Sequence, residues 1–190
     1  AGVPAGLSNV LAIAAGGNHT LALKRDGTVV AWGANTDAQG RWAGQSVVPA
    51  GLNQVVAIAA GEYHSLALKA DGTVVGWGDN TQQQAQPPTG LAGVAGLAAG
   101  GTHSLALRGD GTVVGWGNNW SGQGLVPPGI VAVAVAAGGY HTLALLDDGP
   151  RVGRLFRPAW QGPAFGVLVQ SQMRGQYHLE YRDAWSGAGW

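Results

Sequence analysis

The sequence contains no cysteine in its 190 residues, and only 11% of its side chains are charged. Without thiols the chain forms no disulfide and offers no thiolate ligand to a metal. Ten basic and ten acidic side chains cancel to a formal net charge of zero, so no general field attracts nucleic acid or anionic lipid. The most apolar run, residues 129–139, is too short and too rich in alanine and glycine to span a bilayer.

No secretory signal peptide opens the sequence. Residues 1–10 instead match residues 47–56, which lie between two repeats, so we expect the chain to be part of a longer protein. Glycine is abundant at 34 residues, but 46% of the side chains are hydrophobic, which indicates a folded chain with many tight turns.

A segment of about twenty residues recurs at 14–33, 59–78 and 98–117, and a fourth copy begins at residue 136. Each copy carries a histidine, then Asp-Gly seven residues later, and the three complete copies continue to Trp-Gly. The repeated histidines are His19, His64, His103 and His141, which gives a unit of about 39 residues and one longer connector. Such self-similarity predicts a repeat architecture.

Within a unit the apolar pattern has a period of two, which predicts strands. His64, Leu66 and Leu68 share one face, and the Asp71-Gly72 pair that follows predicts a hairpin with a type I′ turn. Each strand has one bulky face and one small face, as expected for small sheets stacked face to face. The sequence thus predicts an all-β, β-propeller-type array over residues 1–149, with three complete blades, a partial fourth and an incomplete ring.

The unit resembles the regulator of chromosome condensation repeat, which forms propellers. The resemblance rests on Ala-Gly-x-x-His-(Ser/Thr)-Leu-Ala-Leu, on Asp-Gly and Trp-Gly, and on Gly-Gln at Gly44-Gln45 and Gly122-Gln123. It extends to about residue 149, and the text is most similar to bacterial secreted members, including a propeller inhibitor of β-lactamases. The resemblance implies a non-enzymatic protein-binding module in a bacterial extracellular or surface protein. Family members usually close with seven blades, which this chain does not supply.

The fourth unit departs from the pattern, because Pro150 replaces a strand threonine and Arg154 replaces the tryptophan. Proline cannot donate to a strand ladder. We predict a Pro/Arg linker over residues 150–163. Residues 164–190 then alternate like a β-hairpin and are similar to the start of a β-sandwich module, too short to form its own core.

The repeated histidines and tryptophans are predicted to be structural. Each imidazole is expected to sit on the leucine face, between blades, with a ring nitrogen bonded to backbone. Adjacent strand residues point to opposite faces, so His64 and Ser65 cannot form a catalytic pair. Metal ligands must converge on one ion, whereas repeated positions belong to separate blades. No catalytic residue, metal site or cofactor is predicted, and Trp32, Trp77 and Trp116 are assigned to the core.

The candidate binding surface comprises loop residues that differ between copies, namely the pair before each histidine and the stretch after each Trp-Gly. Aromatic rings beside polar side chains are typical of binding surfaces. The prediction requires both loop sets to share one surface. Its residues are Trp42, Glu62, Tyr63, Asp79, Asn80, Asn118, Asn119, Trp120 and Tyr140, with Tyr63, Trp120 and Tyr140 at the centre.

The leading functional hypothesis is protein binding, with self-association through uncovered end blades as a further expectation. A carbohydrate-binding propeller is the first alternative, because tryptophans and amides suit stacking on sugar rings. Nucleotide exchange on a small GTPase is the second, implied only by the family's eukaryotic founder. Neutral charge speaks against nucleic acid.

Overall fold

The computed structural model describes residues 2–146, 168–170 and 176–180. All regular secondary structure among them is β-strand. The strands are β1 (Val10–Ala15), β2 (His19–Lys24), β3 (Val29–Gly33), β4 (Val55–Ala60), β5 (His64–Lys69), β6 (Val74–Gly78), β7 (Val94–Ala99), β8 (His103–Arg108), β9 (Val113–Gly117), β10 (Ala132–Ala137), β11 (Thr142–Leu146), β12 (Leu168–Gln170) and β13 (Gln176–Glu180). In this part of the chain, no helix has the length and apolar content needed to cross a membrane.

Each complete repeat folds into one antiparallel sheet of three strands, in the order β1-β2-β3, β4-β5-β6 and β7-β8-β9. We call these sheets blades 1 to 3. The middle strand of each blade contains the His-x-Leu-Ala-Leu motif, and its side chains are the most deeply buried of the blade. The predicted all-β blade architecture is confirmed.

Neighbouring blades stack through apolar side chains. The first strand of each blade packs on the blade before it: β4 on β1 and β2, β7 on β4 and β5, and β10 on β7 and β8. At the first joint Ile58 of β4 packs against the cluster containing Leu21 and Leu23. At the second, Leu97 packs against the cluster containing Leu66. The sheets form an open array in the described residues, in agreement with the predicted incomplete ring.

The Asp-Gly hairpins differ from the prediction in one respect. A type I′ turn needs positive φ at both central residues, but among the turn residues of blade 1 only Gly27 has it, with φ of 77°. The Gly27 amide donates to the Lys24 carbonyl, and the Lys24 amide donates to the Thr28 carbonyl. The prediction of type I′ was therefore wrong. The wider loop is favoured because the Asp26 carboxylate accepts from both the amide and the hydroxyl of Thr28.

The fourth sheet has the order β10-β11-β13-β12. Strands β12 and β13 pair antiparallel, as predicted for a C-terminal hairpin. Strand β13 also pairs with β11, with Ala144 opposite Glu180 and Leu145 opposite Leu179. It thereby takes the place that the third strand holds in blades 1 to 3. The predicted linker, including Pro150 and Arg154, lies outside the described residues, and the β-sandwich module remains a prediction.

Candidate functional site

The repeated histidines join each blade to the next through hydroxyl groups. Their Nε2 atoms bond to hydroxyl oxygens of the following blade: His19 to Ser65 at 2.8 Å, His64 to Ser104 at 2.8 Å, and His103 to Thr142 at 3.1 Å. Each hydroxyl in turn donates to a backbone carbonyl: Ser65 to Gln45, Ser104 to Gln84, and Thr142 to Gln123. Because the hydroxyl proton is used there, Nε2 must be the donor to the hydroxyl.

The predicted position of the imidazoles between blades is confirmed, but Nε2 bonds to a side-chain hydroxyl where a backbone partner was predicted. A backbone hydrogen bond, at His141, is found for His103. Nε2 of His64, for example, reaches the Gln84 carbonyl through the hydroxyl of Ser104 in the next blade. That hydroxyl is encoded by the Ser or Thr directly after each histidine, one repeat further along the chain. Because donor and acceptor belong to consecutive repeats, the sequence of one repeat alone does not reveal this bond.

Two of the three repeated tryptophans donate to the same carbonyls, whereas the third, Trp32, is only half-buried. Trp77 Nε1 donates to the Gln45 carbonyl at 3.0 Å, and Trp116 Nε1 donates to the Gln84 carbonyl at 2.9 Å. Both glutamines are buried, and both indoles are nearly so. The Gly-Gln pair at residues 44–45 was noted in the sequence, but its role as the source of this carbonyl acceptor was not predicted. At Gln84 the preceding glycine is replaced by Gln83, which keeps a positive φ of 63°.

These His–hydroxyl pairs hold the atoms of a nucleophile and base at bonding distance, but their proton arrangement opposes that chemistry. The hydroxyl donates to a carbonyl rather than to the imidazole, and His64 and Ser104 are both completely buried. Strand alternation turns Ser65 away from His64, and His64 bonds to blade 3 instead. The geometry therefore assigns these groups to joining blades.

Burial also opposes protonation of the imidazoles. It lowers the pKa of His64 to about 4, with smaller contributions from the neighbouring His103 and His19. Burial followed by the proximity of His141 lowers the pKa of His103 to about 4. In the described part of the chain, Nδ1 of His64 and of His103 has no hydrogen-bond partner, so a proton there would find no acceptor. Nor do three or more metal-ligating side chains come together within these residues.

Both sets of variable loops emerge at the same edge of each blade. The first residue of β5, His64, pairs with the last residue of β6, Gly78. The amide of Asp79 then donates to the carbonyl of Tyr63 at 2.8 Å. Blades 1 and 3 repeat this contact. We call this edge the histidine rim: it comprises the bends 16–18, 61–63, 100–102 and 138–140 and the connector segments 34–42, 79–82 and 118–121.

The histidine rim is continuous from blade to blade, because the bends bond to one another. The amides of Gly17, Glu62 and Gly101 donate to the carbonyls of Gly61, Gly100 and Gly138, each at 3.2 Å. The side-chain amide of Asn118 also donates to the side-chain oxygen of Gln82 at 3.4 Å, which joins the connectors of blades 2 and 3. The candidate residues therefore lie along one edge of the array.

Three of the four predicted aromatic residues are well exposed on this rim. The exposed fraction is 88% for Trp120, 72% for Trp42 and 69% for Tyr140. Tyr63 is only half-buried, and its hydroxyl lies near Glu62 and the backbone of residue 38; partial burial and the Glu62 carboxylate raise its pKa. Trp42 projects from a small hairpin that the bridge between Thr36 and Trp42 closes.

The predicted amide residues mainly shape the loops. The side-chain oxygens of Asn80 and Asn119 accept the amides of Ala85 and Gly124. Asn118 likewise accepts from the Trp120 amide and from the Gln123 side chain. The position of Asn80 and Asn119 is also asparagine in blade 1, where Asn35 accepts the amide of Ser46. This asparagine is therefore a constant feature of the repeat and not one of its variable residues.

Comparison with known proteins agrees with this geometry. The family described as "Regulator of chromosome condensation (RCC1) repeat" matches residues 10–39, 55–84 and 94–123, which cover blades 1 to 3 and the first part of each following connector. Three segments of the chain are thus regulator of chromosome condensation repeats. No curated protein sequence matches it.

Several solved structures are similar to this fold. Prp20p from Saccharomyces cerevisiae, studied for its binding properties to Gsp1p and histones, is 27% identical over 74% of this chain and 42% of its own, with a TM-score of 0.61. The ectodomain of the receptor kinase CR4 from Physcomitrella patens is 29% identical over 78% and 41%, with a TM-score of 0.64. Human WBSCR16 is 26% identical over 72% and 45%, with a TM-score of 0.57. The chain spans less than half the length of each.

In this chain the regulator of chromosome condensation repeats divide into two parts. The residues that match between repeats, such as His64 and Trp77, are buried and bonded within or between blades. The residues that differ most, such as Trp42, Trp120 and Tyr140, lie exposed on the histidine rim.

Proposed function

We propose that this chain is a non-enzymatic protein-binding module that holds its partner on the histidine rim. The observation that carries the proposal is the location of its exposed aromatic rings. Among residues 2–146, all of the exposed aromatic side chains lie on this one rim; they are Trp42, Trp120 and Tyr140. Large rings dominate the centres of protein interfaces, because they bury much apolar surface with little loss of conformational entropy.

The rim also has the rigidity that favours recognition. Its connectors are held by side chains, such as Asn80 and Asn119, and its bends are bonded between blades. A surface already held in its binding conformation loses less entropy when a partner docks.

The relatives favour a protein ligand over a glycan. Prp20p, which is similar to this chain, is described by its binding to Gsp1p and histones. We further propose a bacterial extracellular or surface location, which the likeness of the repeat text to bacterial secreted members supports.

A peptide array and a glycan array, probed in parallel with the same fluorescent chain, test the proposal. We expect signals on peptides that fall at least tenfold in the triple variant Trp42→Ala, Trp120→Ala, Tyr140→Ala. The control is Val56→Ala, because Val56 is exposed on a strand away from the rim. Glycan binding that depends on the three rings would establish the carbohydrate alternative. Peptide binding unchanged in the triple variant would contradict the proposed rim.

We also propose that this chain self-associates through the uncovered face of blade 1. Ile13 of β1 is 74% exposed, whereas Ile58, its counterpart in β4, packs into the first blade joint. In a second copy the counterparts of Leu21 and Leu23, which cover Ile58, are Leu143 and Leu145 of β11, and both are only half-buried.

A further inference from the structure

The charges of the described chain are distributed unequally between its two edges. At the hairpin turns, opposite the histidine rim, four basic residues accompany three aspartates: Lys24, Arg25, Lys69 and Arg108 with Asp26, Asp71 and Asp110. The histidine rim carries three acidic residues, Asp37, Glu62 and Asp79, and one basic residue, Arg41. The rim is therefore acidic although the whole chain is neutral.

Among the described residues, no ion pair joins a cationic side chain to two of the three rim carboxylates, Glu62 and Asp79. Arg41 pairs with Asp37 at 2.6 Å and neutralises it. Asp79 accepts hydrogen bonds only from neutral groups of Thr81 and Gln84 among the described residues. Glu62 extends over the bend of blade 3, where its carboxylate lies 3.4 Å from the position that a Cβ on Gly101 would occupy.

The exposed ring of Trp120 lies on the same stretch of rim as Glu62. Glu62 bonds through its amide to Gly100, two residues before Thr102, and the Asn118 amide donates to the Thr102 carbonyl. Asn118 in turn holds the amide of the exposed Trp120. Aromatic faces attract ammonium and guanidinium groups, tryptophan most strongly, and carboxylates nearby strengthen the same preference.

We propose that the histidine rim recognises a cationic segment of its protein partner, an exposed stretch rich in lysine or arginine. Trp42, Trp120 and Tyr140 supply faces for the side chains of that segment, and Glu62 and Asp79 supply the opposing charge. This inference rests on the proposed function and specifies the chemistry of its partner. Long-range attraction of such a segment raises the association rate and falls with added salt.

The chain itself provides a conservative variant. Asp79 corresponds to Asn118 of blade 3, and the hydrogen bond from Gln84 to Asp79 corresponds to that from Gln123 to Asn118 at 3.0 Å. Asp79→Asn should therefore remove one negative charge and preserve the loop. Asp110→Asn removes the same charge at the opposite edge and is the matched control.

The experiment measures fluorescence polarisation of labelled twelve-residue peptides against the full chain, with Lys-Gly, Arg-Gly, Glu-Gly and Ser-Gly repeats as probes. We expect the Lys or Arg peptide to bind at least tenfold more tightly than the Glu or Ser peptide. Trp120→Ala should weaken this binding about tenfold, and Asp79→Asn or Glu62→Gln about threefold each, with a shallower salt dependence. Asp110→Asn should leave it within twofold.

Equal effects of Asp79→Asn and Asp110→Asn would overturn the inference, because the attraction would then be general. So would the absence of binding by both cationic peptides. If array peptides that are neutral or acidic bind through the three rings, the proposed function stands and the cationic partner is wrong. If no array peptide depends on the rings, both fail.

Discussion

At the scale of single residues, the chain uses one imidazole per repeat as a neutral connector. His64 is completely buried, donates from Nε2 to Ser104 and has no described acceptor at Nδ1. Its pKa is lowered by burial to about 4 from the ordinary 6.5. A neutral imidazole suits this place because one donor is needed and a second would be unsatisfied.

We predict that acid weakens the fold through the buried histidines. The unfolded chain binds protons on His64 and His103 below pH 6.5, but the folded chain binds them only near pH 4. The stabilisation is therefore complete above pH 6.5 and is lost as the pH falls toward 4, on the order of 2–4 kcal/mol for each histidine. Urea unfolding at pH 7.5, 6.0 and 5.0 measures this slope. His64→Gln should make it shallower, and a flat profile over this window would show that the histidines are not buried as described.

The glycine three residues before each repeated histidine leaves space for the imidazole ring. A Cβ on Gly61 would lie 2.5 Å from both His64 Nδ1 and the Gly100 carbonyl oxygen, whereas a Cβ on Gly139 would meet no atom of the described residues within 4 Å. We expect Gly61→Ala to lower the free energy of unfolding by about 2 kcal/mol or more. Gly139→Ala should change it by about 0.5 kcal/mol or less. Thermal melting compares the two, and similar effects would mean that the ring can move aside.

At the scale of elements, the period-two pattern was enough to predict the strands, because alternation leaves few other structures open to these segments. The turn between them was mispredicted. Asp-Gly favours a two-residue turn, but the threonine after Gly27 gives the Asp26 carboxylate two donors in a longer loop. The blade joint was only half predicted for a related reason, since the partner of each histidine lies about one repeat away.

The third strand of the fourth sheet comes from a distant part of the chain, and the cysteine-free sequence allows a direct test. Ala144 lies opposite Glu180 in the pairing of β11 with β13. We predict that Ala144→Cys with Glu180→Cys forms an intrachain disulfide on mild oxidation, since directly opposed strand residues are within reach. Ala144→Cys with His178→Cys is the control, offset by two residues. Equal oxidation of both pairs, or dimers alone, would contradict the register.

At the scale of the whole molecule, an array of blades leaves its first face uncovered in this chain. Ile13 exposes 74% of its surface, and exposed apolar strands promote association. We expect light scattering to show concentration-dependent association that Ile13→Asn reduces, whereas Val56→Asn does not. A monodisperse monomer at high concentration would contradict this expectation.

The division of the molecule into scaffold and rim could be predicted from the sequence only in outline. Matching residues indicated the core, and the structure places His64 and Trp77 there. Variation identified the exposed Trp42, Trp120 and Tyr140, but it also selected Asn80 and Asn119, whose bonds within their own loops are visible only in three dimensions. The continuity of the rim depends on bonds between repeats, which no single repeat encodes.

The most direct test of this division compares two tryptophans four residues apart. Trp116 is nearly buried and donates to the Gln84 carbonyl, whereas Trp120 is 88% exposed. We predict that Trp116→Ala lowers the free energy of unfolding on the order of 3–5 kcal/mol. Trp120→Ala should change it by about 0.5 kcal/mol or less and abolish most peptide binding. Comparable destabilisation by the two variants, or full peptide binding by Trp120→Ala, would contradict the account.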